Sequence, residues 1–174
     1  MGENNLSRNS LMFIAMANEY CHELERTSEF ERDEFVGKML KLLPRIYMSI
    51  SDVDDLREED EPFYIESYLQ EDMYNIVRNG VYKLLGEDDT YLEVFEEEMK
   101  YSDTPIATTV SENLSDLYQE FYNLVFTIQN TPTEVAGEIL STIKENFKTY
   151  WGQTLVNVMR ALHSIRYNEL NFDI

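Results

Sequence analysis

The stretch "SENLSDLYQEFYNLVFTIQN", residues 111–130, decides the fold class. Its apolar residues return every three or four positions, which places them on one side of an α-helix. They are Leu114, Leu117, Tyr118, Phe121, Leu124, Val125 and Ile128. Thr109 and Glu112 stand just before this run at the spacing of a capping box, which satisfies free backbone N–H groups at a helix start. The stretch therefore predicts a helix that begins at Thr109 and ends near Gln129.

The same period predicts two helices earlier in the chain. The first covers about residues 7–26 and places His22 on its exposed side. The second begins with the capping-box pair Ser28 and Glu31. Pro44 lies inside this second pattern, and we expect it to kink the helix or to end it one residue earlier, because proline lacks a backbone N–H.

Two further helices are predicted, one before and one after the stretch at residues 111–130. The third is predicted to begin near Pro62 and to stop at Gly86, since proline suits a first turn and glycine a helix end. The fifth starts in "NTPTE" with Thr131 as its cap, and its apolar positions continue to Ile165. Gly152 is the place where this long helix is expected to bend or be interrupted.

The chain has the composition of a single packed domain. Hydrophobic residues make up 43% of its 174 residues and aromatic residues 13%, far more than an acidic disordered tail would carry. No internal repeat, low-complexity tract or flexible linker divides the sequence. We therefore predict an all-α, single-domain helical bundle over residues 1–174, with about five main helices.

The net charge limits the classes of partner. Thirty-four acids against fourteen bases give a formal charge of -20, so binding to nucleic acid or to an anionic membrane is disfavoured. A basic protein or a second copy of the chain is the expected partner. No apolar run approaches the length of a membrane span, and "MGENNLSRNS" does not resemble a signal peptide, so we expect a cytoplasmic protein.

Two predicted connections carry an excess of acids. Residues 51–61 hold seven, and residues 87–103 hold eight. The second group belongs to a long acidic connection before the fourth helix, over residues 87–108, and links of this length tend to be functional or disordered. We predict a helical turn around residues 91–99, with its aromatic side chains docked on the body of the protein.

Several aromatic residues are candidates for binding a partner. Tyr64, Tyr68 and Tyr82 form a second stripe on the predicted third helix, away from its aliphatic face. Internal packing in a central helix is the favoured interpretation, and a surface for a partner is the other, because tyrosine is enriched at interfaces. With Tyr91 and Phe95 of the acidic connection, these residues make up the candidate binding set.

The standard catalytic and metal motifs are incomplete. Neither acidic connection has glycine at the sixth position of a calcium loop, and the chain has one Glu-x-x-His pair where a di-iron site needs two. Cys21 is the single cysteine and has no histidine beside it on its apolar face, so it predicts neither a zinc site nor a nucleophile.

A magnesium site is the closest match among these motifs. All-helical nucleotide pyrophosphatases hold Mg²⁺ with Glu-x-x-Glu followed by Glu-x-x-Asp. Glu93 and Glu96 fit the first half, while Glu112 and Asp116 are one residue too far apart for the second. A divalent-metal-dependent hydrolase of this type, with Mg²⁺ as its cofactor, is therefore the alternative function.

The fourth predicted helix carries a row of acids. Glu112, Asp116 and Glu120 stand at i, i+4 and i+8, a spacing at which like charges destabilise a helix. Such a row calls for a positive partner. We favour pairing with Arg160 or Arg166 of the last helix over binding of a divalent cation.

Four phrases of the sequence resemble a known family. They are "FERDEFVGKMLKLLPRIY", "LLGEDDTYLEVF", "SENLSDLYQEFY" and "YWGQTLVNVMRALHSI". Together they resemble a bacterial family of acidic helical proteins known as a domain of unknown function, number five-zero-six-three in its series, over about residues 10–167. The resemblance implies no established activity, substrate or cofactor. The resemblance also implies that relatives often carry histidines where this chain has Tyr150 and Thr154. If those histidines bind a metal together with the Asp116 helix, this chain lacks ligands, which weakens the metal hypothesis here.

The sequence as a whole favours a noncatalytic role. The function is unknown, and we expect an acidic cytoplasmic domain without a cofactor that binds another protein. The two acidic connections and the second stripe of tyrosines support this expectation.

Overall fold

Helices form nearly all of the regular structure in the computed structural model, which describes residues 6–54, 63–93 and 104–168. The α-helices are α1 (Arg8–Glu25), α2 (Arg32–Ser51), α3 (Glu71–Leu85), α4 (Val110–Gln129), α5 (Ala136–Asn146) and α6 (Gly152–Tyr167). Strands β1 (Thr90–Leu92) and β2 (Ala107–Thr109) form one short antiparallel pair. The predicted all-α bundle is confirmed. The helical backbone from α5 to α6 corresponds to the fifth predicted helix.

Helix α4 lies at the centre of the core. The ring of Phe121 makes edge-to-face contacts with Phe13 at 6.2 Å, with Tyr20 at 5.2 Å and with Trp151 at 5.1 Å. All four side chains are fully buried. Contacts of this kind contribute about 0.5–1.5 kcal/mol each beyond the burial of area. One residue of α4 thus packs against both α1 and the turn that directly precedes α6.

The start of α4 confirms its predicted cap and shows a second one. The hydroxyl of Thr109 accepts a hydrogen bond from the backbone N–H of Glu112 at 3.2 Å. The buried carboxylate of Asp89 accepts from the backbone N–H of Ser111 at 2.7 Å and from its hydroxyl at 2.6 Å. A carboxylate is favourable here because the N-terminus of a helix carries a partial positive charge. Asp89 therefore fixes the start of the acidic connection to α4.

The predicted cap of α2 is wrong. Glu31, rather than Ser28, is the N-cap residue of this helix, and Ser28 lies in a short 3₁₀ turn over Thr27–Glu29. Ser28 therefore lies inside helical backbone, whereas an N-cap residue has a non-helical, usually extended, conformation.

Helix α2 does not end at Pro44. It continues through the proline to Ser51 with buried residues such as Met39 and Ile46 on either side. An interior proline costs about 3 kcal/mol, whereas full burial of one large apolar side chain contributes about 1.5–3 kcal/mol. Burial along the whole apolar face therefore outweighs the missing hydrogen bond.

The last predicted helix starts later than expected. The hydroxyl of Thr131 donates to the carbonyl oxygen of Thr127 at 2.7 Å, so it completes the end of α4 and caps no new helix. Pro132 is extended, and a 3₁₀ turn over Thr133–Val135 leads into α5. The capping box expected in "NTPTE" is therefore wrong.

The predicted interruption near Gly152 is confirmed as one turn of π-helix over Phe147–Trp151. The backbone N–H of Gly152 donates to the carbonyl oxygen of Phe147, five residues earlier. A Cβ atom on Gly152 would lie 2.5 Å from that oxygen. Only glycine fits here, and its place in the sequence marks where the helix changes type.

The predicted start of the third helix near Pro62 is also wrong. Pro62 lies outside the described residues, residues 63–70 form neither a helix nor a strand, and α3 begins at Glu71 after the extended residue Gln70. The extended segment, as we call residues 63–70, packs Phe63, Ile65 and Leu69 against the core. Odd-numbered apolar positions fit an extended chain as well as they fit a helix.

Two side chains of the bundle hold the extended segment in place. The side-chain oxygen of Asn123 accepts from the backbone N–H groups of Tyr68 at 2.8 Å and Leu69 at 2.9 Å. The hydroxyl of Thr142 accepts from the N–H of Phe63 at 3.0 Å. These bonds from α4 and α5 satisfy backbone donors that a helix would have satisfied internally.

Part of the acidic connection is a strand. Thr90 pairs with Thr109, and Leu92 pairs with Ala107, so the helical turn predicted from residue 91 is wrong at its start. The rest of that prediction, from residue 94, lies outside the described residues. No helix in the described ranges has both the length and the apolarity that crossing a bilayer requires.

Candidate functional site

Three carboxylates stand in line on the first half of α4, and we call Glu112, Asp116 and Glu120 the acidic row. The regular spacing of four residues brings them to one side of the helix. Glu112 is exposed, whereas Asp116 and Glu120 are half-buried. The row therefore begins in solvent and continues into the bundle.

Helix α3 covers one side of the acidic row. The phenol of Tyr74 donates a 2.6 Å hydrogen bond to Oδ1 of Asp116. Burial raises the pKa of Asp116, the bond from Tyr74 opposes that rise, and the charge of Glu112 adds to it. Burial, Asp116 and Glu112 also raise the pKa of Tyr74, while nearby Arg78 lowers it. Tyr74 therefore stays a neutral donor.

Tyr150 of the π-helical turn lies within electrostatic reach of the acidic row. Burial together with the charges of Asp116, Glu120 and Glu112 raises the pKa of Tyr150 to about 12. Burial and the charge of Asp116 raise the pKa of Glu120. Two phenols thus lie near the acidic row, and the charge of Asp116 opposes ionisation of Glu120.

The expected pairing of the row with arginines of the last helix is wrong. A guanidinium nitrogen of Arg160 donates instead to the carbonyl oxygen of Leu92 on β1 at 2.7 Å. Within the described ranges, no ion pair joins Glu112, Asp116 or Glu120 to a lysine or arginine. Arg78 is a basic residue near the acidic row, and its charge lowers the pKa of Tyr74.

Glu93 lies in a different part of the structure. Its side chain is 8% exposed and accepts a 2.9 Å hydrogen bond from the amide of Asn157 on α6. The amide oxygen of Asn157 in turn accepts from Gln153. Glu93 thus bonds to α6, whereas Asp116 bonds to α3.

The proposed metal ligands can be placed only in part. Glu96 lies outside the described residues, and Glu93 and Asp116 bond to different helices. Among the residues that the structure describes, no group of three or more His, Cys, Asp or Glu side chains is arranged to hold a metal ion. The Mg²⁺ hypothesis stays a prediction.

The candidate tyrosines do not share one helix face, because Tyr64 and Tyr68 belong to the extended segment. Tyr64 is 76% exposed and Tyr82, on α3, is 57% exposed. Tyr68 contacts the ring of Phe126. Only Tyr82 of the three lies on a helix, so the prediction of a tyrosine stripe along one helix is wrong.

The last two candidate binding residues belong to the acidic connection. Tyr91 docks on α4, where its hydroxyl donates to the side-chain oxygen of Asn113 at 2.5 Å. This contact agrees with the expectation that the aromatics of the connection dock on the body. Phe95 lies outside the described residues.

Sequence reasoning missed the two phenols at the acidic row. Tyr74 fits neither stripe of the predicted third helix, and the 3.6-residue period of the predicted fifth helix places Tyr150 on its buried side. Its exposure of 48% follows from the π-helical turn, which rotates it relative to an unbroken α-helix. A regular period of 3.6 residues carries no signal for that rotation.

Comparisons with known proteins agree with this architecture. No curated protein matches the chain. The crystal structure of protein BF1032 from Bacteroides fragilis is similar, with 33% identity and a TM-score of 0.77 over 92% of this chain and 94% of that one. A family model described as "Domain of unknown function (DUF5063)" matches residues 4–168. The match confirms the resemblance that the sequence showed, and the chain belongs to the DUF5063 family.

Proposed function

We propose that this domain is noncatalytic and binds a basic segment of another protein at the acidic row. The observation that carries the proposal is the arrangement of Glu112, Asp116 and Glu120, which repel one another without an ion pair to a lysine or arginine in the described ranges. A lysine or arginine from a partner would relieve this repulsion. The finding that burial raises the pKa of the inner two acids supports the same idea.

A cleft beside the acidic row adds to the support. It has a volume of about 430 Å³ and is lined by residues that include Tyr74, Arg78, Asp116 and Gln119. A cleft of this size accepts a side chain, and the phenol of Tyr74 fixes the carboxylate that such a side chain would meet. Preorganised acceptors lower the entropy cost of binding.

A basic partner fits better than a second copy of the chain. Each copy carries a formal charge of -20, so two copies repel each other at low ionic strength. Opposite charge on a partner instead accelerates encounter and strengthens the complex. We place this interaction in the cytoplasm, as expected from the sequence.

Affinity capture from a cell lysate tests the proposal. We expect the wild-type domain to retain a basic protein at low salt and to release it at high salt, because salt screens exposed charges. A variant with Glu112→Gln, Asp116→Asn and Glu120→Gln should lose the partner. The matched control, with Glu19→Gln, Glu29→Gln and Asp33→Asn on α1, the 3₁₀ turn and α2, removes the same charge and should retain it.

Two outcomes would contradict the proposal. One is equal loss of binding in both triple variants, which would assign the effect to total charge alone. The other is failure of the wild-type domain to retain any basic protein at low salt.

A further inference from the structure

Four aromatic rings stand in contact on a second face of α4. Tyr118, Tyr122 and Phe126 follow one another at intervals of four residues, with ring centroids 5.6 and 4.5 Å apart. Tyr68 of the extended segment continues the series, 5.9 Å from Phe126. At about 100° per residue, Tyr122 lies roughly 120° around the helix from Asp116. This face is therefore separate from the acidic row.

Two of these rings line a cleft between α1 and α4, which we call the aromatic groove. Its volume is about 350 Å³, and its lining includes His22 and Glu25 from α1 and Tyr122, Val125 and Phe126 from α4. Tyr122 and Phe126 are partly exposed, whereas Tyr118 is buried beneath them. None of the described residues that line the groove is a lysine or an arginine.

Glu25 supplies a fixed negative charge in the groove. Its Oε1 accepts a 2.9 Å hydrogen bond from the phenol of Tyr118, and its Oε2 lies 4.0 Å from Nδ1 of His22. The side chain of Glu25 is 31% exposed. The carboxylate is therefore held in position while remaining accessible to a ligand.

We propose that the aromatic groove binds the guanidinium of an arginine in a basic segment of a partner protein. The planar cation lies over an outer face of the stacked Tyr122–Phe126 pair while its N–H groups donate to Glu25. Arginine fits better than lysine because a flat guanidinium both stacks on a ring and pairs with a carboxylate through two hydrogen bonds. The net charge of -20 attracts such a segment.

The chain already uses cation–π contacts elsewhere. Arg26 and Lys38 both lie over the ring of Phe30, at 5.5 and 5.1 Å from its centroid. In the aromatic groove the rings and the carboxylate come from the domain, and the cation comes from the partner. The inference shares with the proposed function only the basic character of the partner, because it uses a different face of α4.

An NMR titration of the ¹⁵N-labelled domain tests the inference. The probe is the peptide acetyl-Gly-Arg-Gly-amide, and its matched control carries neutral citrulline in place of arginine. We expect the arginine peptide to shift the amide signals of Glu25, Tyr122 and Phe126 in a saturable manner. The citrulline peptide should bind at least about threefold more weakly, since an exposed cation–π contact accounts for about that factor.

Variants locate the binding site. Phe126→Leu and Glu25→Gln should each weaken binding of the arginine peptide by about threefold or more, whereas Tyr167→Leu, at an exposed position of α6 outside the groove, should leave it unchanged. Glu25→Gln keeps an acceptor for Tyr118, so it tests the charge even if Phe126→Leu disturbs the fold.

Equal binding of the two peptides would overturn the inference, as would the absence of any shift in the groove. Shifts confined to the acidic row would also overturn it and would leave the proposed function standing. Shifts in the groove, together with undiminished capture of the basic protein by the acidic-row variant, would support the inference and remove the proposed function.

Discussion

Tyr74 on α3 and Asp116 on α4 form a 2.6 Å hydrogen bond in which the phenol is the donor. The bond joins the two helices at the middle of the acidic row. It also stabilises a carboxylate whose pKa burial has raised, so it ties the packing of α3 to the charge state of the proposed binding face.

Removing this donor should destabilise the domain. We expect Tyr74→Phe to lower the free energy of unfolding by about 1.5 kcal/mol at pH 7, because the half-buried carboxylate loses its hydrogen bond. Urea denaturation measures the change. Tyr82→Phe, on the exposed side of the same helix, is the control and should change stability by less than about 0.5 kcal/mol. Equal effects of the two substitutions would contradict a role for the Tyr74 bond.

The acidic row should make stability depend on pH. The ordinary pKa values of Asp116 and Glu120 are 3.8 and 4.5, and folding raises both. Between the ordinary and the raised values the folded protein binds more protons than the unfolded chain. The row's contribution to the free energy of unfolding therefore falls as pH rises through that window.

The double variant Asp116→Asn, Glu120→Gln isolates this effect. It should be more stable than the wild type at pH 7 by about 0.2–0.5 kcal/mol per relieved pair of like charges, and the difference should shrink as pH falls toward 4. Denaturation of both proteins at several pH values gives the difference. A constant difference from pH 4 to 8 would show that the row does not titrate as expected.

Two glycines in helices should respond in opposite directions to alanine. At Gly152 a Cβ atom would meet the backbone oxygen of Phe147 at 2.5 Å, so Gly152→Ala should cost about 1–3 kcal/mol. At Gly37, in α2, a Cβ atom would meet nothing within 4 Å. Gly37→Ala should therefore stabilise by up to about 1 kcal/mol. Thermal or urea denaturation compares them, and stabilisation by both would refute the close contact at the π-helical turn.

Asn123 should control the extended segment. Asn123→Ala removes the acceptor shared by the N–H groups of Tyr68 and Leu69, and we expect these two amides to exchange faster with deuterium and the domain to lose about 2 kcal/mol. The amide of Phe63, which donates to Thr142, should keep its protection. Thr142→Val is the reciprocal control and should release Phe63 alone. Unchanged exchange at Tyr68 and Leu69 in Asn123→Ala would contradict this assignment.

The magnesium alternative makes a separate prediction. Specific binding of Mg²⁺ to the folded domain must raise its melting temperature. We expect no rise at millimolar Mg²⁺ relative to sodium at equal ionic strength, because Glu93 and Asp116 bond to different helices. A rise of several degrees that the variant Glu112→Gln, Asp116→Asn abolishes would favour the metal-dependent hydrolase instead.

Helices could be predicted correctly where the spacing of the apolar residues fits a helix and no other structure. The stretch at residues 111–130 and the cap at Thr109 were assigned correctly because both depend on neighbours within one turn. The extended segment was misassigned because Ile65 and Leu69 satisfy a helical and an extended period alike. Hydrogen bonds from Asn123 and Thr142, more than fifty residues away in sequence, decide between the two.

The candidate site, too, could be predicted from the sequence only in part. The spacing of the acidic row follows from the sequence alone, since residues four apart share a helix face. Its neighbours do not follow from spacing: the sequence suggested arginines of the last helix, and the structure places Tyr74 and Tyr150 there.

The sequence by itself determined an acidic helical domain of the DUF5063 family and the faces that its central helix presents. Only the tertiary structure decided which groups meet those faces. Local periodicity and capping depend on backbone geometry within a few residues, whereas the contacts of Asp116 and of the aromatic groove depend on how separate helices pack. Packing brings together residues whose distance along the chain carries no signal of their distance in space.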